Sequence, residues 1–220
     1  MPLQHLAALA AALGVGYLLG SIPFAILVER WKNVDLRRLG SGNVGASNAF
    51  IVAGKLPGIL VLVGDACKGV AAVLLVAAAT GGNHVAIAAA GVGSVLGHDW
   101  SLYLRLKGGK GTATTVGVIA ALDWRILAVA VVIYCVLLMV TRFTVISSLL
   151  TVTSMPAFMM VRMWFAPGAG PEPLPYVYAA IVLAALGYLR HWEHVERFLQ
   201  GREPKAADMF REIKARRVKG

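Results

Sequence analysis

The sequence predicts an all-α fold, a polytopic bundle of about seven membrane helices of uneven length. Of the 220 residues 58% are hydrophobic and 15% charged, against roughly 45–50% and about 25% in soluble domains. The apolar stretches outrun ordinary buried helices, and the charges, net +10, are concentrated between those stretches. The chain therefore reads as one integral-membrane domain, residues 1–220, with a basic tail over 191–220. A soluble single domain, a disordered chain, a coiled coil and a collagen are excluded, and no nucleic-acid partner is expected.

Seven apolar stretches can be followed in order, at about residues 3–28, 56–80, 84–98, 111–122, 124–142, 144–165 and 175–190. The first is long enough to span about 30 Å of hydrocarbon at 1.5 Å per residue. It has no Lys or Arg before Arg30, so it lacks the basic start of a cleaved signal peptide and is expected to stay in the mature protein. The third and fourth reach only about 17–22 Å. Their polar ends must sit below headgroup level, which implies a wetted dip on one face. Alternating crossings with the N-terminus outside put 18 of the 21 Lys and Arg on one face, the cytoplasmic one by the positive-inside bias. The Gly-Ala-Pro stretch 166–175 reads as an outer connector, and the tail after Arg190 as a surface helix against anionic headgroups, with a solvated positive-inside tail as the other reading beyond Lys205. Cys67 and Cys135 give neither a disulfide framework nor metal-ligand spacing, so no metal and no cofactor is expected.

Three polar clusters fall on the cytoplasmic side. In Gly40-Ser41-Gly42-Asn43-Val44-Gly45-Ala46-Ser47-Asn48 the glycines permit turns and the short polar side chains add donors without bulk. Such a loop suits a phosphate; a tight turn between membrane helices is the alternative. In Gly64-Asp65-Ala66-Cys67-Lys68-Gly69, Asp65 and Lys68 share a helix face and can pair. That pair reads either as part of a site or as a structural anchor. Gly97-His98-Asp99-Trp100-Ser101 precedes Lys107-Gly108-Gly109-Lys110-Gly111-Thr112, a glycine-rich backbone with a lysine at a helix start, which makes an anion site. Its spacing is not that of a Walker A loop.

Together the clusters resemble the three signature motifs of the bacterial integral-membrane glycerol-3-phosphate acyltransferases that use acyl phosphate as donor. The segments GSGNVGASN, DACKG and GHDWSLYLRLKGGKGTAT occur in that order, and the resemblance runs from about Gly16 to Lys205. It implies a seven-helix membrane bundle with its active site at the cytoplasmic face, in the inner membrane of a bacterial cell. The implied reaction moves a fatty acyl group from acyl phosphate to the 1-hydroxyl of sn-glycerol 3-phosphate, giving lysophosphatidic acid and phosphate, the first step of phospholipid synthesis. An acyl-phosphate-forming enzyme is the implied protein partner. By resemblance Ser41, Lys110 and His191 are the catalytic candidates, while Gly42, Asn43, Ser47, Asn48, Lys68, Gly108, Gly109, Ser148 and His194 are expected to bind substrate.

The chemistry needs no cofactor, because acyl phosphate is a mixed anhydride with a good leaving group and the site must chiefly hold two anions together. The hydroxyl proton goes to the donor phosphate, as the resemblance favours, or to His191 or His194. No serine has a recognisable base partner. The His and Asp with four residues between them that mark soluble-type glycerolipid acyltransferases are absent. Three positions depart from the family pattern: Ile51 for a usual Arg, His194 for a usual Asn and Ser101 for a common Pro. Losing a fixed guanidinium at position 51 is expected to weaken glycerol 3-phosphate binding. Lys55 or Arg142 would replace its charge, and His191 and His194 are expected to add positive charge. Two other readings stand beside the enzyme: a transporter of phosphate-bearing solutes, built on helix N-termini that face anions, and a catalytically altered family member.

Overall fold

A computed structural model describes residues 3–165 and 174–208 of the chain. Most of the stretch 166–175, and the tail past Asp208, lie outside the described residues. Ten α-helices follow one another: α1 (Leu3–Gly20), α2 (Phe24–Lys32), α3 (Ala46–Val52), α4 (Lys55–Ala79), α5 (His84–Asp99), α6 (Thr112–Leu122), α7 (Trp124–Thr141), α8 (Thr144–Phe165), α9 (Leu174–Arg190) and α10 (Trp192–Leu199). A 3₁₀ turn, Leu102–Leu104, separates α5 from α6.

The expectation of about seven membrane helices is corrected here. Among the described residues four helices are long and apolar enough to cross a bilayer: His5–Lys32, which joins α1 and α2, then α4, α7 and α8. A fifth is added if α9 and α10, bent by 65° at their junction, form one broken span. An apolar run reports burial from water, and burial has two sources, lipid and protein. In α5 the source is protein, because 12 of its 16 residues are buried. With α6 at 11 residues, the two helices are about 24 and 17 Å long at 1.5 Å per residue.

The centre of the bundle is α5, gripped by α1. Gly16 and Gly20 of α1, one turn apart, face Ala90 and Ser94, while Gly93 and Gly97 of α5 face Leu13 and Tyr17. A Cβ at any of the four would come within 1.9–2.3 Å of a backbone carbonyl oxygen of the other helix. With no hydrophobic driving force between helices in lipid, this close backbone approach supplies the packing. The main apolar core joins α4 to α9 through Val73, Val95, Val118, Met155 and Leu183. A second core, Ala25, Val28, Leu36, Val44, Ala49 and Val61, lies beneath residues 33–54. The helix starts are built locally: the side chain of Asn83 accepts the N–H groups of Val85 and Ala86 at 3.1 Å, and that of Asp123 accepts Arg125 N–H at 3.0 Å.

Candidate active site

The first loop is closed by its own last residue. Asn48 is 1% exposed. Its Oδ1 accepts the Ser41 N–H at 2.9 Å, and its Nδ2 donates to the carbonyls of Leu36 at 2.7 Å and Leu39 at 3.1 Å. Gly40 and Gly42 take left-handed backbone, φ 62° and 71°, to make the turn possible. Glu29, at the end of the first span, accepts Leu36 N–H at 3.0 Å and ties the loop to α2. Ser41, Gly42 and Ser47 remain exposed and Asn43 half-buried. Asn48 thus shapes the loop and has its amide spent on the loop backbone.

In α4, Lys68 Nζ lies 2.9 Å from Asp65 Oδ1 and donates to Ile22 O at 3.1 Å. His98 Nδ1 lies 3.5 Å from the same carboxylate oxygen. All three side chains are buried. A small cleft lined by Val44, Asp65, Lys68, His98 and Gly109 brings the first loop, α4, α5 and the glycine-rich loop to one place. The Asp65–Lys68 pair is therefore part of a buried ionic cluster, with His98 as a third member that its spacing did not reveal.

The glycine-rich loop rests on the end of α5. Gly109 N–H donates to His98 O at 3.0 Å, and a Cβ at Gly109 would lie 2.1 Å from His98 Nε2. From the other side Arg190, the last residue of α9, donates from Nε and Nη2 to Gly109 O at 3.1 and 2.6 Å, with Nη2 also 3.4 Å from Gly108 O. Next in the chain stands Lys110, half-buried before the uncapped first turn of α6. Those first-turn N–H groups have no intrahelical partner.

Lys110 Nζ lies 2.5 Å from His194 Nε2. On the other side of the ring, Nδ1 lies 2.8 Å from Glu203 Oε1 and 2.9 Å from the Arg197 guanidinium. Arg197 Nε holds the second oxygen of Glu203 at 3.1 Å. Burial pushes His194 below the usual histidine value, with the Lys110 charge adding to it and Glu203 opposing. Burial likewise lowers Lys110, and the Arg197 and Arg190 charges reinforce the shift while Glu193 and Glu203 counter it.

His191 is 8% exposed, and its Nδ1–H donates to Gly187 O at 2.9 Å, which leaves Nε2 as the ring's acceptor. Burial, helped by Lys110, His194 and Arg190, pushes it down to about 4. The expectation that both histidines add positive charge is thus opposed: burial beside other cations pushes both below the usual histidine value, because a buried cation there is unfavourable.

Ser148 Oγ donates to Thr144 O at 3.0 Å, and Ser147 is buried against Thr141 and Phe143. No hydrogen bond joins Ser41, Asn43, Ser47 or Ser148 to Lys110 among the described residues. Ile51 is half-buried in α3, whereas Lys55 and Arg142 are exposed. No group of three or more His, Cys, Asp or Glu among the described residues has the geometry to hold a metal. Sequence reasoning missed Glu29, Arg190 and Glu203. Each stands at a helix end or in a charged tail, where a lone charge reads as a solvated one.

Residues 10–201 match the family model described as glycerol-3-phosphate acyltransferase. The chain is 41% identical over 201 residues to a glycerol-3-phosphate acyltransferase of Synechococcus sp. (strain JA-3-3Ab), covering 91% of this chain and 94% of that one. A protein of the same description from Shouchella clausii is 38% identical over 192 residues, covering 86% and 92%. Two crystal structures of PlsY, an integral membrane glycerol 3-phosphate acyltransferase, share the fold: the glycerol 3-phosphate form superposes with a TM-score of 0.79 at 33% identity, and the lysophosphatidic acid form with 0.79 at 32%. Both alignments cover 90% of this chain and 94% of the other. A match of this extent in sequence and in fold, over three motifs that meet at the cleft beside Gly109, means that the chain belongs to the glycerol-3-phosphate acyltransferase family.

Proposed function

We propose that the chain works as an acyltransferase at the loop centred on Lys110. It transfers an acyl group from acyl phosphate to glycerol 3-phosphate and produces lysophosphatidic acid. It is a multi-pass, membrane-embedded enzyme. The observation that carries the site is the convergence of Lys110, the open first turn of α6 and the α9–α10 junction on one place. An ammonium beside unpaired N–H groups at a helix start binds a phosphate. Leu102, Tyr103 and Leu106, each more than half exposed, stand on the connection leading into this loop. They offer an apolar surface to an acyl chain whose phosphate lies at Lys110.

In this reading Ser41, Gly42, Asn43 and Ser47 face the substrates from the first loop, Asn48 keeps that loop in shape, and Gly108, Gly109, Ser148 and His194 complete the surroundings. The glycerol oxygen attacks the acyl carbon, the carbon–oxygen bond to phosphate breaks, and the phosphate leaves with the electron pair. With His191 held at about 4 and His194 Nε2 occupied by Lys110, a phosphate, whose second ionisation falls near pH 6, is the better proton acceptor. His191 then serves as a neutral polar neighbour, its tautomer fixed by Gly187.

The N-terminus lies outside and the C-terminus in the cytoplasm. Support for that orientation is the basic bias: with five crossings and α5 and α6 counted together as a re-entrant pair, the first loop and the tail stay on one face, and the tip of the pair points toward it. The acyl phosphate comes from an acyl-phosphate-forming enzyme acting on that face. The test is purified protein with palmitoyl phosphate and labelled glycerol 3-phosphate, lysophosphatidic acid being measured, with acyl-CoA and acyl-carrier protein as alternative donors. Product only with the acyl phosphate is the expected result; product with neither it nor the others would end this reading.

A further inference from the structure

The structure assigns Arg190 as the positioning residue of the glycine-rich loop: by holding the Gly108 and Gly109 carbonyls, its guanidinium aims the Lys110 amide and ammonium at the substrate phosphate. This rests on the reading that Lys110 holds phosphate.

In a trans peptide the C=O and N–H point in opposite directions. The Gly109 carbonyl is drawn to Arg190 by two donors, at 2.6 and 3.1 Å. The N–H of the same peptide, that of Lys110, is therefore turned away from Arg190, and it finds no backbone acceptor among the described residues. In the preceding peptide the carbonyl of Gly108 faces Arg190 at 3.4 Å while the Gly109 N–H donates to His98 O at 3.0 Å. That unit is clamped at both ends, between α9 and α5.

Two adjacent glycines need such a clamp. They lose more backbone freedom on ordering than any other residues, roughly 1–2 kcal/mol each, and have no side chains with which to pack. Larger residues are excluded on the α5 side, where a Cβ at Gly108 would lie 1.9 Å from His98 O.

Arg190 is itself well held. Its guanidinium carbon lies 5.2 Å from the centre of the Trp100 ring, and its place at the C-terminus of α9 favours a cation. It forms no direct ion pair among the described residues, whereas Arg37, Arg38 and Arg197 each do; the carboxylate that senses its charge is the buried Asp99. Its charge is passed to the loop through the carbonyls it polarises. A lysine cannot reproduce this, since a single ammonium lacks the planar fork that meets two carbonyls at once.

The test is a double-mutant cycle on the full-length protein in detergent, read as dissociation constants of glycerol 3-phosphate and of inorganic phosphate by calorimetry. Arg190→Lys, which keeps the charge, should weaken both by about tenfold or more in the wild-type background. In the Lys110→Ala background the same change should cost less than about threefold, because the group it positions is gone. Equal losses in the two backgrounds would mean that Arg190 acts on its own, as a direct ligand or a general support, and would overturn the assignment; so would unchanged constants in Arg190→Lys. Arg190→Gln is the second variant. If neither Arg190 variant gives monodisperse protein, the residue is a folding determinant and the proposal falls. Wild-type constants in Lys110→Ala alone would instead remove the phosphate reading on which it rests, leaving the two failures distinguishable.

Discussion

The two loops that face the candidate site are built in opposite ways. Residues 40–48 form a loop closed from within: Asn48 satisfies three backbone groups no more than 12 residues away. Residues 107–111 form a loop held entirely from outside, by His98 at the end of α5, Arg190 at the end of α9 and His194 in α10. The first is a short-range structure that survives wherever its own side chains do. The second exists only when three separate helices arrive together, so it couples the site to the whole bundle. A disturbance deep in the bundle should therefore reach Lys110 while leaving Ser41 where it is.

The largest effect that would separate the loops comes from breaking the buried pair beneath the second one. Lys68→Met leaves Asp65 as an uncompensated buried charge, a loss of about 3–5 kcal/mol, expected as a sharp fall in the detergent melting temperature and in folded yield. A Lys68→Met protein with wild-type melting would remove α4 from the support of the second loop. Next is Lys110→Ala, expected to lower turnover by about 100-fold or more, the size found for removing one donor that stabilises developing charge, with melting unchanged. Lys107→Ala is the control, because that residue is exposed and should show only a small loss.

Asn48→Ala tests the self-closed loop and should cost about 1–3 kcal/mol, since it strands the Leu36 and Leu39 carbonyls and the Ser41 N–H. Phosphate binding at the second loop should be little changed in that variant, and an equal loss at both loops would show that they are one unit.

The pH dependence is smaller. His191 sits at about 4 in the folded protein against about 6.5 unfolded, so below about pH 6.5 the unfolded chain binds more protons. The stability is complete above about pH 6.5 and is lost as the pH falls toward 4, up to about 3 kcal/mol. Melting followed from pH 7.5 to 4.5 should show this loss, and His191→Gln should flatten it. Smallest is His194→Asn, expected to change the KM for glycerol 3-phosphate by only a few fold, since Lys110 keeps its charge whether or not a ring accepts from it.

The sequence by itself determined the membrane class, the places of the helices and the three polar clusters, because apolar runs, glycine turns and a lysine at a helix start are local chemistry written in consecutive residues. It also marked α5 and α6 as too short for comfortable spans. It could not say that α5 is apolar because helices surround it: lipid and protein select the same residues, so the count of crossings came out too high. It could not show that Asn48 turns its amide to the loop's own backbone, because a polar residue in a glycine loop has the same appearance whichever way it faces. Tertiary structure alone decided that Arg190, 81 residues from Gly109, grips the second loop, and that His194 meets Lys110. Those facts depend on which helix ends meet. Burial and neighbouring charge then fix the protonation of each group, and neither is encoded at the position where its effect is felt.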